Sequence, residues 1–165
     1  MRIPSHLLKM CFAEGAARYP EEACGLLSGP SSEPEALAEF HPIANQLNRM
    51  HELDPVRYPR TARDGYYLDP MTLLKMERSL RERGWEVRVI FHSHPDVGAY
   101  FSEEDKQRAL WDGRPVYPGV LYLVCGLKDG KPDGAILAAY NEQTRGFDVS
   151  EVARPGTDGT GQAAG

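Results

Sequence analysis

Apolar residues at Leu7, Leu8, Cys11 and Phe12 recur at helical spacing, which predicts an amphipathic helix from Ser5, placed to cap it, to about Arg18. The run "YPEE" breaks the pattern. "ACGLLSG" then reads as a short buried strand closed by Gly29 and Pro30, with "EALAEFHPI" as its hairpin partner. From Ala44 to Tyr67 periodicity disappears, and Pro55, Pro59 and Gly65 punctuate a polar stretch. A loop this long in a small domain is more often functional than idle. The clearest helix follows, with Asp69 as N-cap, Pro70 at the first helical position, Leu73, Met76 and Leu80 on one stripe, and Gly84 to stop it.

In "WEVRVIFHSH", Val87, Val89 and Phe91 alternate with Glu86, Arg88 and Ile90, which predicts a strand whose C-terminal end carries the histidines. Ser102 and Glu103 open another helix to about Trp111, and "GVLYLVCGL", "GAILAAYN" and "RGFDVSEV" supply the remaining strands. This order predicts a mixed α/β domain in which helices flank one curved β-sheet. The domain is expected over residues 1–152, and 153–165, with little apolar content, reads as a disordered tail.

A chain of 165 residues suffices for one core that needs no disulfide staples. The net charge of -5 and the interleaving of Glu77, Glu82 and Glu86 with the basic residues from Arg78 to Arg88 argue against nucleic-acid binding. No stretch reads as a membrane span, and Lys9, Glu14 and Arg18 interrupt the first apolar run too often for a signal peptide. Cys11, Cys24 and Cys125 are odd in number and lack a CxxC pair, so neither a disulfide framework nor a cysteine zinc site is expected, and a reducing cytoplasm fits.

The chemistry concentrates in "FHSHPDVGAYFSEED". Strand side chains alternate faces, so His92 and His94 project to the same side, and a loop returns the chain to Asp105 in the first turn of the next helix. Two imidazoles and a carboxylate leave one position open on a tetrahedral zinc, the pattern of a catalytic site. Zinc acidifies a bound water, so hydrolysis is the natural chemistry. The plainer alternative is a polar strand end followed by an acidic residue near a helix N-terminus; Pro95, Ser102 and Asp105 in register weigh against it. Ferrous oxygenases share the donor set but would place it on strands. A zinc deaminase would need HxE with PCxxC, and the sequence lacks both.

Glu22 in "EEACGLLSG", taken with "HSHPDVGAYFSEED", resembles the JAMM (MPN-plus) zinc metalloprotease family. That family's pattern is a glutamate, then His-Ser/Thr-His-Pro, a serine after seven intervening residues and an aspartate three further on. The resemblance covers most of residues 1–150 and implies a fold related to the cytidine deaminase-like architecture. It implies His92, His94 and Asp105 as Zn2+ ligands, Glu22 as the base acting on the zinc-bound water, and Ser102 as hydrogen-bond donor to the oxyanion. Capping the helix is the more frequent role for a serine at position 102 and competes for the same side chain, but the complete motif favours the catalytic contribution; Glu21 competes with Glu22 until the family offset to Cys24-Gly25 selects Glu22. Phe101 departs from the proline that many relatives carry before the serine, which puts the approach to the metal in doubt. Cys24, inside an apolar strand, reads as a small buried hydrophobe rather than a nucleophile.

The resemblance further implies a peptidase or isopeptidase acting at the C-terminal glycine of a ubiquitin-like sulfur-carrier protein or its peptide conjugate. A homodimer is left open. Arg49, Arg57, Tyr58, Tyr66 and Tyr67 are the expected substrate contacts in the 44–67 loop. The rival expectation is a non-catalytic MPN-type scaffold, which an intact ligand set argues against.

Overall fold

The computed structural model describes residues 1–155. Along the chain run α1 (Ser5–Arg18), β1 (Cys24–Pro30), β2 (Glu39–Ile43), α2 (Leu47–Leu53), α3 (Pro70–Glu82), β3 (Trp85–Pro95) and α4 (Glu103–Ala109). They are followed by β4 (Leu110–Trp111), β5 (Arg114–Pro115), β6 (Leu121–Lys128), β7 (Lys131–Asn141) and β8 (Gly146–Pro155). One mixed sheet in the order β2-β1-β3-β6-β7-β8 forms the body, parallel only between β3 and β6. The mixed α/β architecture with flanking helices is therefore as expected.

Both faces of this sheet are covered, which is why β1, β3 and β6 carry near-continuous buried runs rather than clean alternation. Leu7, Leu8, Cys11 and Phe12 of α1 pack with Leu27, Val89, Phe91, Leu123 and Leu127 on one face. On the other, Leu73 of α3 and Ala109 of α4 join Cys24, Leu26, Ile90, Phe101, Tyr122 and Val124. Each fully buried Leu or Phe in such a core stabilises the fold by about 1.5–3 kcal/mol. The even-numbered positions of β3 face this second cluster, so His92 and His94 emerge on the side opposite α1.

Several local expectations are revised. Pro4 occupies the N-cap of α1 and no side chain caps it, so Ser5 is already helical. α2 lies within the stretch expected to be loop. At seven residues, about two turns, with Leu47 as its buried residue, it is too short to print a period, and tertiary contacts hold it. α4 stops at Ala109 because Asp112 and Gly113 take left-handed conformations and fold Leu110 and Trp111 back onto Arg114 and Pro115. The hairpin partner of β1 is confined to Glu39–Ile43. β8 runs on to Pro155, and the rest of the expected tail lies outside the described residues. No helix among the described residues is long and apolar enough to cross a membrane.

Candidate metal centre

β3 sits between β1 and β6, and this central position fixes the two histidines from both sides: His92 pairs with Cys24 and Val124, and His94 with Gly126. Ser93 points the other way, where its backbone N–H donates to Ala23 O at 2.9 Å and its hydroxyl accepts from the Ala23 N–H at 2.8 Å. The residue between the histidines thus ties down the segment that carries Glu22. The chain after His94 leaves the sheet through Asp96, held by Tyr19 Oη at 2.6 Å and by the Asp129 N–H at 2.9 Å. It then passes directly over Gly126. A Cβ at Gly126 would stand 2.8 Å from Ala99 N and 3.0 Å from the Gly98 carbonyl carbon, so only glycine lets this loop lie on β6.

Four buried polar side chains converge at the end of β3: Glu22 is 6 % exposed, His92 0 %, His94 4 % and Asp105 7 %. The two Nε2 atoms are 3.1 Å apart. Asp105 Oδ1 lies 3.3 Å from His92 Nε2, Asp105 Oδ2 3.8 Å from His94 Nε2, and Glu22 Oε1 4.0 Å from His94 Nε2. One ligand atom each from Glu22, His92 and His94 also falls within a mutual 4.8 Å. With one ligand atom per residue, Glu22 is the carboxylate that groups with the two imidazoles, whereas Asp105 approaches each imidazole through a different oxygen.

The protonation states suit a cation. A carbonyl only accepts, so the 3.2 Å contact with Gly98 O puts the His94 proton on Nδ1 and leaves Nε2 as a lone pair facing the site. Burial and the neighbouring His92 lower the His94 pKa to about 4. Burial opposes the charge of Asp105, yet hydrogen bonding to His92 and Ser102 holds its carboxyl below the usual carboxylate range. Burial, and then the negative charge of Asp105, push Glu22 well above its ordinary value, with Arg108 acting the other way. A neutral imidazole and an ionised carboxylate aimed at one point are the forms that bind a metal, and this nitrogen-and-oxygen donor set fits zinc.

Ser102 is the N-cap of α4. Its hydroxyl accepts from the Asp105 N–H at 3.1 Å and donates to Asp105 Oδ2 at 2.6 Å, while its own N–H reaches the same oxygen at 2.9 Å. This capping box fixes the Asp105 carboxylate and leaves Oδ1 turned towards His92.

A family model described as prokaryotic homologs of the JAB domain matches residues 4–139. This chain belongs to that family. The resemblance read from the motifs is thereby borne out. A Haloferax volcanii protein named desampylase is 32% identical over 126 residues, covering 76% of this chain and 73% of the relative. A Thermus thermophilus protein described as a probable TtuB-protein conjugate cleaving protease is 30% identical over 111 residues, 66% of this chain and 63% of that one. Among solved structures, one from Salinibacter ruber matches with a TM-score of 0.60 at 28% identity, covering 94% and 92% of the two chains. One from Desulfitobacterium hafniense gives 0.59 at 26%, covering 87% and 85%.

Around the candidate metal centre of this JAB domain, a cavity of about 130 Å³ is lined by Arg60, Arg63, Asp64, Gly65 and Tyr66 from the long loop and by Pro95, Val97 and Tyr100 after β3. Of the loop residues expected to touch substrate, Tyr66 lines this cavity. Arg57 and Tyr58 line a neighbouring one, whereas Arg49 and Tyr67 line neither. Arg60 and Arg63 were not singled out by the sequence. Phe101 is buried against Tyr122 and Phe147, at centroid distances of 5.3 and 4.9 Å, so it anchors the start of α4 and does not line the cavity at the candidate metal centre. Cys24 is buried, its thiol donating to Ile43 O at 3.4 Å and raised to about 12 by burial, which suits a structural role.

Asn45 was missed altogether. Its amide nitrogen donates to Glu22 O and Gly65 O, both at 3.0 Å, and its oxygen accepts from Leu47 N–H and Tyr67 N–H, both at 3.0 Å. One side chain therefore stitches Glu22 to the long loop and to α2. Each such bond is worth about 0.5–1.5 kcal/mol net. Asn45→Ala is expected to lower stability by at least about 2 kcal/mol in a urea titration.

Proposed function

We propose that this JAB-domain protein is a zinc-dependent peptidase or isopeptidase that hydrolyses the amide bond after the C-terminal glycine of a ubiquitin-like sulfur-carrier protein. The observation that carries the reading is Glu22, a buried carboxyl raised well above its ordinary value and only 4.0 Å from the unprotonated Nε2 of His94. A proton carrier beside a metal-binding donor set is what amide hydrolysis requires. The names of the Haloferax and Thermus relatives support the substrate class, since the second describes cleavage of protein conjugates.

In this reading His92 Nε2, His94 Nε2 and Asp105 Oδ1 hold the metal. Asp105 is preferred over Glu22 because it is nearer to both imidazoles and is held ionised. Zinc, when bound, supplies Lewis acidity that polarises a carbonyl and acidifies water. Glu22 takes the proton of the attacking water and delivers it to the leaving amine. Ser102 fixes Asp105 in the resting site and offers its hydroxyl to the developing oxyanion. The small cavity admits a glycine tail more readily than bulky residues. The cysteines are all free and buried, which fits a cytoplasmic setting.

The test is cleavage of a carrier–lysine or carrier–peptide fusion followed by mass spectrometry. Release after the terminal glycine, abolished by a chelator and restored by zinc, is the expected result. Protein without stoichiometric zinc, or with no chelator-sensitive cleavage of any such fusion, supports the scaffold reading instead.

A further inference from the structure

The two histidines are supported differently. A metal-ligating imidazole is ordinarily oriented by a hydrogen bond from its second ring nitrogen. His94 has that support, from Gly98 O at 3.2 Å. His92 does not: its Nδ1 is buried and, among the described residues, has no hydrogen-bond partner. With Nε2 turned to the metal centre, no polar contact fixes the plane of the His92 ring from behind.

Tyr66 stands where that support is missing. Its ring lies stacked on the His92 imidazole, with centroids 4.5 Å apart and planes inclined by 24°. The His94 ring, by contrast, is tilted at 58° to His92. Tyr66 is 9 % exposed and packs in the same core cluster as Ile90 and Phe101. Its backbone is pinned on both flanks, by Asn45 at Gly65 O and Tyr67 N, and at its own carbonyl by the Arg108 guanidinium. That guanidinium also lies 5.9 Å from the Tyr66 ring centroid. A rigidly held ring face against an imidazole whose Nδ1 has no hydrogen bond restricts rotation of that imidazole.

We infer that Tyr66 is a positioning residue for His92, holding the imidazole by stacking in the orientation that presents Nε2 to zinc. The inference rests on the reading of His92 as a zinc ligand. It makes the aromatic face of Tyr66, rather than its hydroxyl, the functional feature.

The experiment measures zinc affinity of the purified full chain by competition with a chromophoric chelator, and records the visible spectrum of the cobalt-substituted protein. Tyr66→Phe keeps the ring and is expected to bind zinc within about twofold of wild type. Tyr66→Leu removes it and is expected to weaken zinc by roughly 10–100-fold, the usual effect of losing an outer support of a metal ligand, with altered cobalt bands. Tyr66→Met serves as a second ring-free variant should the leucine variant fail to fold. Leu8→Ala, in α1 on the opposite face of the sheet, reports what destabilisation alone does, and its zinc affinity is expected to be unchanged. Ring-free variants that bind zinc as tightly as wild type, or a Leu8→Ala loss of equal size, overturn the inference while leaving the ligand set standing. A wild-type protein that binds no zinc overturns the ligand set and the inference together.

Discussion

Glu22→Gln is expected to keep stoichiometric zinc and to lose hydrolysis of the carrier fusion by about 10²–10⁴-fold, the usual contribution of a positioned general acid–base group. The side chain keeps its shape but can no longer accept and return a proton. Its burial and the adjacent charge of Asp105 disfavour the ionised carboxylate, so an amide there is expected to leave the melting temperature unchanged or slightly higher. Metal analysis and fusion cleavage on the same sample give the answer. A normal rate would show that another group moves the proton. Loss of zinc would show that Glu22, whose oxygen lies within the same 4.8 Å group as the two imidazole nitrogens, belongs to the ligand set.

His92→Ala is expected to remove both metal and activity. The imidazole is fully buried between the Tyr66 ring and the Asp105 carboxylate, and an alanine there leaves a single imidazole beside the two carboxylates. Zinc content should fall below stoichiometry and cleavage to background. Thermal melts supply an independent check. A metal that binds only the folded state at a thousandfold above its dissociation constant adds about 4 kcal/mol of stability. Chelator should therefore lower the melting temperature of wild type and leave that of His92→Ala unmoved. A variant that still responds to chelator would place the metal elsewhere.

The two histidines, Asp105 and Ser102 could be read along the chain because their geometry is local. A strand sets the His92–His94 pair, and a capping box at the start of α4 sets Asp105 through Ser102. The helices α1 and α3 were legible for the same reason, since their buried stripes repeat over several turns. Glu22 lies on neither kind of local pattern; its assignment came from family resemblance, and its place beside the histidines comes from the pairing of β1 with β3. Asn45 and Tyr66 left no periodic trace. Their partners are distant in sequence, and polar hubs or loop aromatics print no pattern that a period can detect.

By itself, then, the sequence determined the alternation of helices and strands, the histidine pair and the carboxylate that follows it, because hydrophobic period, capping and strand alternation act over a few residues. Tertiary structure alone decided that β1 and β6 flank β3, that the 44–67 stretch holds α2 and folds Tyr66 onto His92, and that Glu22 and Asp105 meet at one buried point. These depend on long-range strand pairing, on burial, which raises the Glu22 carboxyl, and on the hydrogen bonds to His92 and Ser102 that keep Asp105 ionised against its own burial, and only the Ser102 bonds belong to a short segment.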